Sequence, residues 1–156
     1  MMSFPGAVGA LPVAGAANIV DGDTFDIGAT RIRLWGVDAV EGAQTCELNG
    51  HPWDCGGEAT RRLTAFLAGT EVKCEPKDRD RYGRTVATCS ARGADIGAWL
   101  VSEGLALDYV EFSKGTYKGQ QVAAETAKRG VWRSKFIPPW EFRHGESKAD
   151  STEQRR

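Results

Sequence analysis

The sequence predicts an α+β domain, a small barrel of strands with three helices packed on it. Three observations carry this reading. Apolar and polar residues alternate on both sides of a tight turn early in the chain. Ala59, Leu63, Phe66 and Leu67 then recur at helical spacing. Finally, two strand-like runs flank the turn-forming "DRYGR", and two more helical stretches follow.

In chain order, residues 1–17 read as a flexible lead-in. Residues 18–27 alternate as one strand, "GAT" turns, and residues 31–37 return. "GAQTCELNGHPWDCGG" is rich in turn formers and reads as a loop. "GEATRRLTAFLAG" is the first helix, with Gly69 as its C-cap. "EVKCEPKD" and "RTVATCSA" form a hairpin. "DIGAWLVSEG" is a short helix opened by Asp95 and closed by Gly104. "LALDYV" is extended, and "KGQQVAAETAKRG" is a third helix ending at Gly130. Residues 137–156 turn polar and read as a mobile tail, which leaves residues 18–136 as the domain. The oligonucleotide-binding (OB) fold is one barrel of this kind.

At 156 residues the chain is long enough for one well-cored domain and too short for two ordinary ones. Its 41% hydrophobic and 26% charged residues suit a soluble globular protein. It holds no apolar run near the ~20 residues that span a bilayer. The net charge of -1 is unevenly placed, since 10 Lys/Arg face 5 Asp/Glu from Lys114 onward. The rest is acidic, and a cluster of carboxylates that repels phosphate makes sense if a cation sits among them. "FPGAVGALPVAGAA" is apolar but lacks a basic start and is broken by Pro and Gly. The expectation is a chain trimmed of its signal, with methionine in its place.

The four cysteines include no C-x-x-C pair. Cys46, His51 and Cys55 offer three zinc ligands without an apparent fourth. Two disulfides, Cys46–Cys55 and Cys74–Cys89, are expected instead, with reduced core thiols as the alternative. Cys74 and Cys89 lie almost symmetrically about "DRYGR", where antiparallel strands would face each other. Disulfides imply a periplasmic or secreted protein.

The chemistry concentrates in "VDGDTFDIGATRIRLWGVDAVE", residues 20–41. Asp21 and Asp23 point to one side if this is a strand, and the hairpin returns Asp38 nearby. Such an all-oxygen cluster suits a hard cation, Ca²⁺ or Mg²⁺. Arg31 and Arg33 share the face opposite Ile32 and Leu34, and a planar guanidinium pairs well with phosphate. Taken alone, Asp-Gly-Asp is a polar turn, and an arginine beside carboxylates is a structural ion pair. Asp38 and Glu41 arriving after the second strand favour a site. A metal, an arginine and a free carboxylate are the parts that phosphodiester hydrolysis needs.

"VDGDT", "RLWGVDAVE" and "DRYGR", in that order with a helix between, resemble the staphylococcal nuclease-like (thermonuclease) family over residues 18–134. The resemblance implies a five-stranded OB-fold barrel with three helices and Ca²⁺-dependent hydrolysis of DNA and RNA. By motif, Asp23, Asp38 and the backbone carbonyl of Ala39 would ligate Ca²⁺, with Asp21 beside it. Arg33 and Arg84 match the phosphate-binding arginines, and Glu41 the general base. Arg81, Tyr82 and Tyr109 would contact substrate, and Arg31 has no catalytic counterpart. No protein partner is evident, and a monomer is expected.

Two departures stand out. Val40 replaces the family's proline in "DAVE", so looser placement of Glu41 and the Ala39 carbonyl is expected. Glu111 replaces the second of two nucleotide-contacting tyrosines, with Phe112 or Tyr117 as substitutes. Trp99 and Trp132 read as core, Trp53 as a candidate for the site's rim, and His51 and His144 have no evident partners. The rival reading is a non-catalytic nucleic-acid-binding module on the same fold, although such modules commonly lack the acidic ligands or the arginines that this chain keeps.

Overall fold

The computed structural model describes residues 11–145. Strand β1 (Val13–Gly15) lies inside the expected lead-in and pairs with β8 (Val72–Arg79). The edge of β8 presents unpaired backbone groups, and Val13 packs on the core as it covers them. Residues 1–10 of the lead-in lie outside the described residues.

The expected strand over residues 18–27 is in fact a hairpin. β2 (Asn18–Asp21) and β3 (Thr24–Ile27) pair antiparallel across a turn at Gly22 and Asp23. Alternation survives such a turn, so periodicity alone did not reveal it. Asp21 and Asp23 are therefore brought together by a turn rather than by strand geometry.

β4 (Thr30–Leu34) returns beside β3, and β5 (Val37–Ala39) leaves the sheet to pair with β11 (Ala106–Asp108). The cysteine-flanked loop contains a small hairpin of its own, β6 (Cys46–Leu48) and β7 (His51–Trp53). Helix α1 (Cys55–Leu67) follows, capped by the Asp54 carboxylate, which accepts from Gly57 N. β8 and β9 (Thr85–Ala91) form the expected long hairpin, with β10 (Ala94–Asp95) alongside. Asp95 caps α2 (Ile96–Ser102) by accepting from Ala98 N, as expected.

Helices α3 (Val110–Ser113) and α4 (Lys118–Ala127) come next, then a 3₁₀ turn (Gly130–Arg133). A further helix, α5, covers residues 139–145. The main sheet runs β1-β8-β9-β4-β3-β2 with β10 on β9, seven short strands where five were expected. Among the described residues the pairings follow this open path, with β4 and β9 parallel.

Phe25, Ile32, Leu34, Leu63, Val72, Ile96 and Leu100 are buried between the sheet and the helices. Trp99 stacks on Phe66 at this core's edge, and Trp132 packs there as well. The disulfides are Cys46–Cys55 and Cys74–Cys89, and Cys74 faces Cys89 across β8 and β9. Cys74–Cys89 spans 15 residues, which constrains the unfolded chain by about 3 kcal/mol. No free cysteine remains for a zinc site.

Candidate active site

A cleft of about 1100 Å³ opens at the end of the sheet that carries the β2–β3 turn. Asp21, Asp23, Arg33 and Glu41 line it, together with Arg81, Tyr82 and Arg84 from the β8–β9 turn and Tyr109. Asp38, wholly buried, belongs to the same carboxylate group, because Arg33 lies 3.4 Å from it and 3.5 Å from Asp23. Asp23 Oδ2 accepts from Ala39 N at 2.8 Å, which ties the turn to β5. Asp21 Oδ1 accepts from Gly22 N inside the turn. The structure thus brings together Asp21, Asp23, Asp38, Ala39 and Glu41.

Arg33 is anchored by the backbone as well as by charge. Its Nη1 donates to Leu34 O (2.7 Å) and Val37 O (2.9 Å). The side chain is 13% exposed, whereas Arg31, two residues earlier, is 51% exposed and pairs with Asp26 in solvent. Arg84 is positioned by Asp80, whose carboxylate accepts from the backbone N of Tyr82 and Arg84 and from Arg84 Nε (2.6 Å). Gly83, at φ 83°, closes this turn in a conformation that side-chain-bearing residues seldom adopt. Tyr82 is 68% exposed, with the guanidinium groups of Arg81 and Arg84 over its ring.

Arg143 is the residue that the sequence reading missed. The expected mobile tail is helical from residue 139, and it delivers this guanidinium to the carboxylates. Arg143 Nη1 and Nη2 each donate at 2.8 Å to an oxygen of Asp38, and Nη1 also donates to Glu41 Oε1. Only residues 146–156 of that tail lie outside the described residues. The excess of basic residues after Lys114 was the available signal, but it did not single out Arg143.

The backbone around Glu41 is held without the missing proline. Val40 is fully buried, and its N donates to Leu105 O. The buried Gln44 accepts from Glu41 N through Oε1, its N donates to Glu41 O, and its Nε2 donates to Ile137 O at 2.7 Å. Gly56 N donates to Gln44 O, and a Cβ on Gly56 would stand 1.8 Å from Glu41 O. The Cys46–Cys55 bridge closes this loop beside Gly56. Contacts spread across the loop therefore do the work expected of one proline.

Burial raises the affinity of Asp21, Asp38 and Glu41 for protons, and their mutual repulsion, chiefly through Asp23, raises it further. Hydrogen bonds from Arg143 offset this for Asp38 and Glu41. The Arg143 guanidinium is in turn held firmly protonated, first by Asp38. The carboxylates need positive charge among them, and in this structure the two arginines supply it.

The aromatic rim differs from the expectation. Tyr109 stacks on Trp140 of α5, with ring centres 5.5 Å apart, and meets Phe112 edge-on. Phe112 and Glu111 both line the cleft. Tyr117 cannot substitute for a surface tyrosine, since it is 5% exposed and packs against Trp35. Trp53 is not part of the cleft lining; Arg133 lies over its ring.

Residues 31–134 match the family model described as "Staphylococcal nuclease homologue". The chain belongs to this family. Its relatives include the succinoglycan biosynthesis protein ExoI of Rhizobium meliloti (strain 1021), 40% identical over 79% of this chain and 66% of that one. An uncharacterized endonuclease of Escherichia coli O157:H7 is 32% identical over 81% of each chain. A micrococcal nuclease of Shigella flexneri is 30% identical over 84% of this chain and 80% of that one. Membership in the staphylococcal nuclease family carries the OB fold expected from the sequence. The matched region begins after Asp21 and Asp23 and ends before α5.

Among the described residues no three His, Cys, Asp or Glu side chains converge on one point as a preformed cage. The donor set nonetheless suits a hard cation in kind, being all oxygen, partly buried and mutually repelling. Asp23, Asp38 and the backbone carbonyl of Ala39 are the groups that would hold it, with Asp21 alongside.

Proposed function

We propose that the protein is a Ca²⁺-dependent nuclease that hydrolyses phosphodiester bonds of DNA and RNA with little sequence specificity. One observation carries the reading: the cleft places carboxylates, Arg33 and Arg84 on one surface, beside aromatic side chains able to stack on bases. Asp23, Asp38 and the Ala39 carbonyl are assigned to the metal, with Asp21 beside it. Bound there, Ca²⁺ would supply positive charge against the negative charge that develops on the phosphate oxygens.

Arg33 and Arg84 donate to the non-bridging phosphate oxygens and hold the phosphate in line for attack. Glu41 takes a proton from water as the water oxygen bonds to phosphorus. The P–O5′ bond breaks, the leaving oxygen is protonated by solvent, and a 3′-phosphate remains. Arg81, Tyr82 and Tyr109 contact the strand on either side. Phe112 lies at the cleft in the region where Glu111 replaces a tyrosine.

Two disulfides support an oxidising, periplasmic or extracellular setting. No helix among the described residues is long and apolar enough to cross a membrane.

The deciding experiment is cleavage of single-stranded DNA and of RNA in Ca²⁺, in Mg²⁺ and in excess chelator, with Glu41→Gln in parallel. We expect turnover in Ca²⁺, none in chelator, and a loss of roughly 10²–10⁴-fold in the variant. DNA bound without turnover under any metal would favour the binding-module reading.

A further inference from the structure

Four contacts tie helix α5 and the segment that leads into it to the loop and carboxylates of the site. Ile137 O, just before the helix, accepts from the buried Gln44 that also holds Glu41 N. Glu47 and Lys135 exchange backbone hydrogen bonds, which fixes the approach of the chain. Trp140 stacks on Tyr109, and one turn further Arg143 reaches Asp38 and Glu41.

Arg143 engages both oxygens of Asp38, a side chain with no exposure to solvent. A Ca²⁺ ion needs carboxylate oxygens at 2.3–2.6 Å in the directions that carry their lone pairs. The guanidinium takes one lone-pair direction on each Asp38 oxygen and one more at Glu41, and Arg33 lies 3.4 Å from Asp38 Oδ1. A dication seated on the same oxygens would also face a fixed positive charge a few ångströms away, in a partly buried setting where screening is weak. Arg143 in this pose therefore competes with a cation for Asp38, by occupying its oxygens and by charge.

We propose that Arg143 is a built-in competitor for the cation, a positioning residue that holds Asp38 and Glu41 until a divalent cation displaces it. This rests on the Ca²⁺-nuclease reading above. Displacement does three things. It gives Asp38 to the cation, and it releases the Glu41 oxygen that must accept a proton from water. It also removes the polar anchor of α5, leaving the helix held at this end by Trp140 against Tyr109. Cation binding is thereby coupled to loosening of α5 at the mouth of the cleft.

The test is calorimetric titration of Ca²⁺ into the metal-free full chain without nucleic acid, for the wild type, Arg143→Gln and Arg143→Lys. Alongside it, amide hydrogen exchange across residues 139–145 is followed with and without Ca²⁺. We expect Arg143→Gln to bind Ca²⁺ at least tenfold more tightly. Arg143→Lys should fall between, because one ammonium cannot span both Asp38 oxygens and Glu41. In the wild type, Ca²⁺ should speed exchange in α5.

Equal affinity in all three proteins, with exchange unchanged, would overturn the competition and leave the Ca²⁺ reading standing. Weaker binding in Arg143→Gln would overturn it too, because Arg143 would then be supporting the ligands. Ca²⁺ bound by neither wild type nor variant would overturn the Ca²⁺ reading itself and the competition with it. Binding by Arg143→Gln alone would support competition in its strongest form. If neither variant folds, the wild-type exchange measurement decides by itself.

Discussion

Residues 20–41 and residues 135–145 reach the same carboxylates by opposite routes. The first run carries four of them within itself, and three short turns with strands β3, β4 and β5 bring them together. The second carries one arginine, whose partners Asp38 and Glu41 lie 105 and 102 residues earlier in the chain. On the proposed mechanism the first run supplies the reactive groups, and the second pairs a positive charge with two of them. Chemistry packed into a short stretch announces itself, while a counter-ion delivered from the far end of the chain does not.

The comparison breaks most sharply at Arg33, to which the proposed mechanism gives a chemical task and the fold a structural one. Arg33→Ala should lower turnover by about 10²–10³-fold through loss of a donor to the phosphate. It should also cost about 1–3 kcal/mol in urea unfolding, because Leu34 O and Val37 O lose their donor. Glu41→Gln should spare stability by comparison. If both variants unfold alike, Arg33 has no anchoring role beyond its charge.

The joint between the two regions is tested at Gly56. An alanine in a helix is ordinarily favoured over glycine by about 0.8–1.0 kcal/mol. Here the added methyl would press on the Glu41 carbonyl, and on Gly42 O beyond it. Overpacking of this kind costs about 1–3 kcal/mol, so the net change should be destabilising. Turnover should fall about tenfold as Glu41 shifts, with DNA affinity nearly unchanged. A stabilised Gly56→Ala enzyme of normal rate would show that the Glu41 loop gives way freely.

How far the sequence disclosed all this follows from the range of the forces involved. Ile32 and Leu34 alternating with two arginines showed β4 correctly, because a half-buried strand must alternate. The Cys74–Cys89 pairing was legible from symmetry about one turn. The split at Gly22 was not, because a tight turn between β2 and β3 preserves the apolar rhythm that marks a strand. Nor was α5, whose polar residues resemble a solvated tail until Trp140 and Arg143 find Tyr109 and Asp38 across the fold. Gln44 likewise looked like one polar residue in a loop, although burial makes it the link between Glu41 and Ile137.

The smallest expected effect is at Arg31, and it sharpens the reading of the first region most. Arg31 and Arg33 are two residues apart on one strand and face the same way, so the sequence does not distinguish them by position. The fold separates them. Arg33 is drawn under the β4–β5 turn against Asp23 and Asp38, while Arg31 stays in solvent beside Asp26. An exposed ion pair contributes little, since water and salt screen it and two long side chains must be held still. Arg31→Ala should therefore leave the unfolding midpoint, the Ca²⁺ dependence and the cleavage rate within experimental error of wild type. A clear loss of rate at unchanged stability would mean that substrate reaches along β4 beyond the cleft, and that Arg31 binds a phosphate further along the strand.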